Sequence, residues 1–195
     1  MRSPVTCSSE VRDLSGDAPR ESAGRPIRAV SPERWVMFAT NGVGFALVPW
    51  TYAAVGAPSD LIAYMHEELT LASFIGISLV LMLLHELLHA LGFVAFAGAS
   101  PRAVSFTVHW AQLTPATYCH QVIPAAGFRV ALLLPLLALG LWPLFAGLVL
   151  RDAALVFWSA FMIAGAAGDV AVHHATRHLP PDHRMWVSPR PAPEA

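Results

Sequence analysis

The sequence predicts a membrane all-α fold of about four transmembrane helices, with a short cytoplasmic β-hairpin between the second and third. Three observations carry that prediction. Hydrophobic residues make up 55% of the 195-residue chain against 13% charged, and the mean hydropathy is +0.54, which is too apolar for a one-domain soluble globule. Four stretches reach the roughly 20 mostly apolar residues needed to cross a hydrocarbon core of about 30 Å. All twelve basic residues are arginine, and Arg2, Arg12, Arg20, Arg25, Arg28 and Arg34 precede the first of those stretches.

Residues 1–34 mix Ser, Pro, Gly, Arg and acids without the apolar stretch of a signal peptide, and read as a disordered cytoplasmic tail. The membrane domain is expected over residues 35–178. Its first span, Trp35 to Ala57, has Trp35 at one end and Trp50 and Tyr52 at the other, as interfacial aromatics. The connection to the second span, Leu71 to Gly98, carries Asp60, Glu67 and Glu68 but no Arg. By the positive-inside rule this places the amino terminus in the cytoplasm. The third span, Phe128 to Leu150, contains Pro135 and Pro143 and is expected to kink. A tight outer turn at Arg151-Asp152 leads to the fourth, Ala153 to Val172. Four crossings return the carboxyl terminus, with Arg177, Arg184 and Arg190, to the cytoplasm, where residues 179–195 read as a second disordered tail.

The loop between the second and third spans alternates Val104, Phe106, Val108 and Trp110 with Ser105, Thr107 and His109, the period of a half-buried strand. Thr117 to Ile123 is its candidate partner. Such a hairpin either covers helix ends or binds substrate.

Ionisable residues inside a bilayer are costly and mark function. The apolar interiors hold four: His85, Glu86 and His89 in the second span and Asp169 in the fourth. In His85-Glu86-Leu87-Leu88-His89 the histidines, four residues apart, project from one helix face and can share one metal, with Glu86 beside them as a candidate general base. At about 1.5 Å per residue, His89 lies roughly 14 Å from Gly98 and Asp169 roughly 12 Å from Arg177, so parallel spans bring the ligands to one level. The expected roles follow: His85, His89 and Asp169 hold Zn²⁺, which activates a water, and Glu86 moves the proton. The partner implied is the lipid bilayer. A net charge of -1 and the lack of a basic, aromatic-laced stripe give no sign of nucleic acid.

Other candidates carry a weaker signal. His173 lies four residues after Asp169 and either joins the metal or, with His174, sits at the interface. Asn41 can stabilise an oxyanion or join helices. His109 and His120 face the cytoplasmic mouth in this topology, and His66 and His183 read as surface residues. Cys7 and Cys119 are too few for a disulfide framework or a multi-cysteine zinc site.

His85-Glu86-Leu87-Leu88-His89 in one span with Gly168-Asp169 in a later one resembles the site-2-protease superfamily of intramembrane zinc metalloproteases. The chain looks closer still to a small bacterial family of membrane proteins described as zincin peptidases. That similarity runs from about Thr70 to His178 and includes Tyr118-Cys119-His120 and the Phe128-Arg129 pair opening a Pro-containing span. It implies a membrane-embedded zinc site that opens to the cytosol and cleaves membrane-anchored proteins, with the Val104 to Trp110 strand offering an edge to an unwound substrate. Ala166-Ala167 and Val170 around Gly168-Asp169 depart from the superfamily pattern, and there is no inserted PDZ-like domain.

The function expected is therefore a zinc-dependent peptidase embedded in the membrane. The alternative is a non-catalytic metal-binding membrane protein acting as scaffold, sensor or transporter. Beyond His85 the second span offers only Ser73 and Ser78 as polar groups, which argues against a transport pathway. A hydrolase acting on a small amphiphile would need the same site. Abundant Ala and Arg with no Lys point to a GC-rich prokaryote and its cytoplasmic membrane.

Overall fold

The computed structural model describes residues 34–54, 58–109 and 114–185. The amino-terminal tail before Arg34, Trp110 and everything from Trp186 onward lie outside the described residues.

Helix α1 occupies 34–54, regular at Arg34–Gly42 and Val48–Ala54 and widened into a π turn at Val43–Leu47. Gly44 in that turn meets the helix at Ala153–Gly165: a Cβ there would stand 2.7 Å from the Ala160 carbonyl oxygen. The missing side chain lets two helix backbones touch. Helix α2, Pro58–Ala63, continues through a π turn at Tyr64–Glu68. It is pinned by Trp158, whose indole N–H donates to the Tyr64 hydroxyl at 2.8 Å.

Helix α3, Leu71–Ala95, begins at a Thr70 cap whose Oγ1 accepts from the Ser73 N–H at 3.1 Å. A short turn, Pro101–Ala103, leads into β1, Val104–His109, which pairs antiparallel with β2, Thr114–Cys119, in the register Val104↔Cys119, Phe106↔Thr117. The first strand lies where the alternation places it. Its partner begins and ends earlier than expected, because Ile123–Pro124 forms a separate strand, β3, paired with β4, Arg184–Met185. Residues 179–185 of the tail expected over 179–195 are thus part of this packing, and the remainder lies outside the described residues. Met185 is only 1% exposed and joins Phe93, Cys119, Ile123, Phe128 and Ala131 in one core, with Leu179 packed against it.

Helix α4, Ala125–Leu150, runs unbroken through both prolines. Pro135 and Pro143 each lack the N–H that would bond the preceding turn, and between them the helix widens to a π turn at Leu136–Leu141. The two prolines expected to kink this span thus flank a local change of winding. Arg151, with φ 55°, makes the turn into α5, Ala153–Gly165, capped by Asp152 Oδ1 on the Leu155 N–H at 2.9 Å. Tyr52 of α1 holds this turn through its hydroxyl on the Arg151 carbonyl at 3.1 Å. The stretch expected as one fourth span is two helices, α5 and α6, Ala167–Thr176, bent by 45°.

Two helices, α3 and α4, are long and apolar enough to cross a membrane, and α5 with α6 makes a third if the bent pair is one span. Helix α1, interrupted by Thr40, Asn41 and two glycines, is not in that set, so the expected count of four is not reached among the described residues. The two helices leave wide apolar faces uncovered: Leu79, Leu83, Leu87 and Leu91 of α3 are each more than half exposed.

Candidate metal centre

The sequence folds so that α3 passes close to α4 at the level of His89. Gly92, one turn beyond His89, lies against Ala131, where a Cβ would stand 2.7 Å from the Ala131 Cα. This close passage lets the His89 Nδ1–H donate to the Ala131 carbonyl at 2.9 Å. A carbonyl only accepts, so the proton of a neutral His89 ring is placed on Nδ1 and the Nε2 lone pair faces the other way.

There it meets His85 and Asp169. The two Nε2 atoms are 3.1 Å apart; His85 Nε2 is 3.0 Å from Asp169 Oδ2 and His89 Nε2 is 3.4 Å from Asp169 Oδ1. Among the described residues these three form the group able to hold a metal, their ligand atoms all within 4.8 Å of one another. Two atoms bound at about 2.0–2.1 Å to a tetrahedral ion lie about 3.3 Å apart, close to the spacing seen. Two imidazole nitrogens and a carboxylate are also the donor set of hydrolytic zinc sites. The residues fit the ion.

Asp169 is delivered by the bend. It lies in the first turn of α6, just past the break at Ala166, where the amino-terminal helix dipole favours a carboxylate. The far end of α6 is held by Arg129 of α4, whose Nη1 shares its two protons among the carbonyls of Thr176, Arg177 and Leu179 at 3.3, 3.0 and 3.2 Å. Arg129 thereby supplies a charged donor to carbonyls at and just beyond the helix end, where Thr176 also accepts from the Leu179 N–H at 3.1 Å.

Glu86 is held from the hairpin. The Thr117 hydroxyl of β2 lies 2.8 Å from Glu86 Oε2 and 3.0 Å from the Glu86 carbonyl oxygen. His85 and Glu86 both line a cavity of about 410 Å³ walled by Phe74, Leu79, Met82 and Phe161. Glu86 also lines a second, of about 570 Å³, under the hairpin with Leu83, Leu87, Phe106 and Val108.

The remaining candidates fall elsewhere. His173 is not part of the metal-binding group, although its Nδ1 is buried without a hydrogen-bond partner. Asn41 donates to the Met37 carbonyl of its own helix at 2.9 Å. The His120 ring bonds Ser105 Oγ at 2.7 Å across the hairpin, His109 ends β1, and His66 is exposed. His183 is half-buried, not a surface residue. Cys119 is fully buried in the core, and burial pushes its thiol up.

Sequence reasoning missed three groups: the Ala131 carbonyl, Thr117 and Pro115, which lines both cavities. None carries a motif. Only the apolar period of the hairpin hinted that its inner face meets α3.

Fold and site together define a mostly helical protein with a zincin-type pair of histidines completed by a carboxylate from a distant helix. Residues 78–183 match the family model described as “Putative zincin peptidase”. The match spans more than half of the chain and contains all three candidate ligands; the chain belongs to this family. No curated protein and no solved structure matches it significantly.

Proposed function

We propose that this protein is a zinc-dependent peptidase, site-2-protease-like, that hydrolyses a peptide bond of a membrane-anchored protein within or beside the bilayer. The observation that carries the reading is the convergence of His85, His89 and Asp169 on one point, with Glu86 lining the same cavity as His85. When bound there, zinc supplies Lewis acidity that polarises the scissile carbonyl and makes water a nucleophile near neutral pH.

The chain's own residues do the rest. His89, oriented by Ala131, and His85 offer neutral nitrogens, and Asp169 adds one negative charge. Glu86 accepts the proton of the attacking water on its carboxylate and returns it to the leaving amine. The aromatic and aliphatic walls of the 410 Å³ cavity suit an apolar peptide segment. Among the described residues β1 pairs only with β2, so its outer edge is open to an extended substrate.

The uncovered leucines of α3 support membrane embedding, since so large an apolar face is unfavourable in water. In this reading α1, α3, α4 and the bent α5–α6 pair cross the bilayer. Both termini are cytoplasmic, in keeping with the arginine distribution.

The test is zinc content of the purified protein in wild type, His85→Ala, Glu86→Gln and Asp169→Ala. One zinc in wild type and Glu86→Gln, and none in the other two, is expected, together with peptide cleavage by wild type only. Cleavage by Glu86→Gln would remove Glu86 from the chemistry. Zinc without any cleavage would favour a scaffold or sensor.

A further inference from the structure

The Thr117–Glu86 contact points beyond the ligand set. A glutamate has three side-chain torsions, so holding it in one conformation costs rotamer entropy that a specific contact must offset. The Thr117 hydroxyl has one proton and two acceptors within reach, both on Glu86: the carboxylate Oε2 at 2.8 Å and the main-chain oxygen at 3.0 Å. It therefore ties the carboxylate back to its own helix turn, occupying one carboxylate oxygen and leaving the other for proton exchange. A hydroxyl donating to a carboxylate is also a charge-assisted bond, stronger than a neutral one.

The donor is itself rigid. Thr117 is β-branched and stiff at χ1, sits in the middle of β2 opposite Phe106, and is followed two residues later on the same face by the fully buried Cys119. Two residues earlier on that face is Pro115, which with Glu86 lines both cavities. Anything that enters either cavity therefore meets the strand that holds the carboxylate.

We propose that Thr117 is a positioning residue: its hydroxyl, delivered by the hairpin, sets the orientation of the Glu86 carboxylate at the metal centre. This rests on the peptidase reading, in which Glu86 handles the proton. If Thr117 only docked the hairpin on α3, its loss would lower stability and leave the carboxylate's chemistry unchanged.

The experiment uses the full-length, zinc-loaded protein in nanodiscs with acetohydroxamate as probe, because a hydroxamate chelates zinc and gives its proton to an adjacent carboxylate. Wild type, Thr117→Val, Thr117→Ser, Glu86→Gln and the Thr117→Val/Glu86→Gln double variant are compared for zinc content and hydroxamate affinity. All should hold one zinc. Thr117→Val, which keeps the shape and loses the donor, should bind hydroxamate about 10-fold more weakly, the scale of losing a hydrogen-bonded supporting group. Thr117→Ser should restore wild-type affinity, and Thr117→Val should add nothing once Glu86 is Gln. Wild-type affinity in Thr117→Val, no rescue by serine, or an equal loss on the Glu86→Gln background would each overturn the proposal. A wild type that holds zinc and shows this coupling yet cleaves no peptide would defeat the peptidase reading alone. A wild type without zinc would defeat both.

Discussion

His89 and Ala131 are joined by a 2.9 Å hydrogen bond between an imidazole N–H and a main-chain carbonyl that lie 42 residues apart. The bond exists because Gly92 lets α3 lie against α4 at Ala131. Gly92→Val should push the helices apart, costing about 1–3 kcal/mol of stability by overpacking and about 10- to 100-fold in zinc affinity by freeing the ring. Chelator competition and thermal melting measure the two effects. Unchanged zinc affinity would show that the ring needs no such support.

Zinc should protect the fold. The three candidate ligands come from α3 and α6, elements far apart in the chain, so an ion that binds only the folded state would stabilise it by mass action. The gain is about 2.7 kcal/mol when free zinc exceeds Kd 100-fold. Removing the metal with a chelator should lower the melting temperature of wild type and leave that of Asp169→Ala unchanged.

Arg129 anchors the helix that carries Asp169. Arg129→Met leaves the carbonyls of Thr176, Arg177 and Leu179 without their shared donor and should destabilise by about 1.5–3 kcal/mol, the scale of hydrogen bonds to a charged group. Zinc affinity should fall with it, because α6 loses its hold at the end opposite Asp169. Arg129→Lys, which keeps a charged donor but lacks the planar, pre-organised guanidinium, should lie between wild type and Arg129→Met in a melting series.

Cys119 should be inert in the fold. Its sulfur is buried and donates to the Gln121 carbonyl at 3.6 Å, and burial raises its pKa. On a Cys7→Ser background, iodoacetamide at pH 8 should label the folded protein at least about 10-fold more slowly than the denatured one. The folded state holds the thiol proton more tightly than the unfolded chain, whose thiol titrates near about 8.5. This contribution to stability is therefore complete below that pH and is lost as pH rises through the folded value. Melting temperatures read across pH 7 to 10 should show the decline in the Cys7→Ser protein but not in a Cys7→Ser/Cys119→Ala variant.

What the sequence determined by itself is the candidate ligand set and the apolar frame. The spacing of His85 and His89 needs only helical geometry to put both rings on one face. Asp169 stands out because a carboxylate in an apolar stretch has few other reasons to be there. The apolar lengths of α3 and α4 and the alternation of β1 are likewise local properties, read within one element. Only the tertiary structure decided the rest, because it depends on backbones that meet across long separations. The 45° break before Asp169, the π turn that absorbs two prolines, and the return of Arg184–Met185 to pair with Ile123–Pro124 leave no periodic trace in the residues. The supports of the site are of the same kind. A main-chain carbonyl at Ala131 and a strand hydroxyl at Thr117 become partners of His89 and Glu86 only when α4 and the hairpin pack on α3. A hydrogen bond to a distant backbone atom is specified by packing, not by the identity of the residue that supplies it.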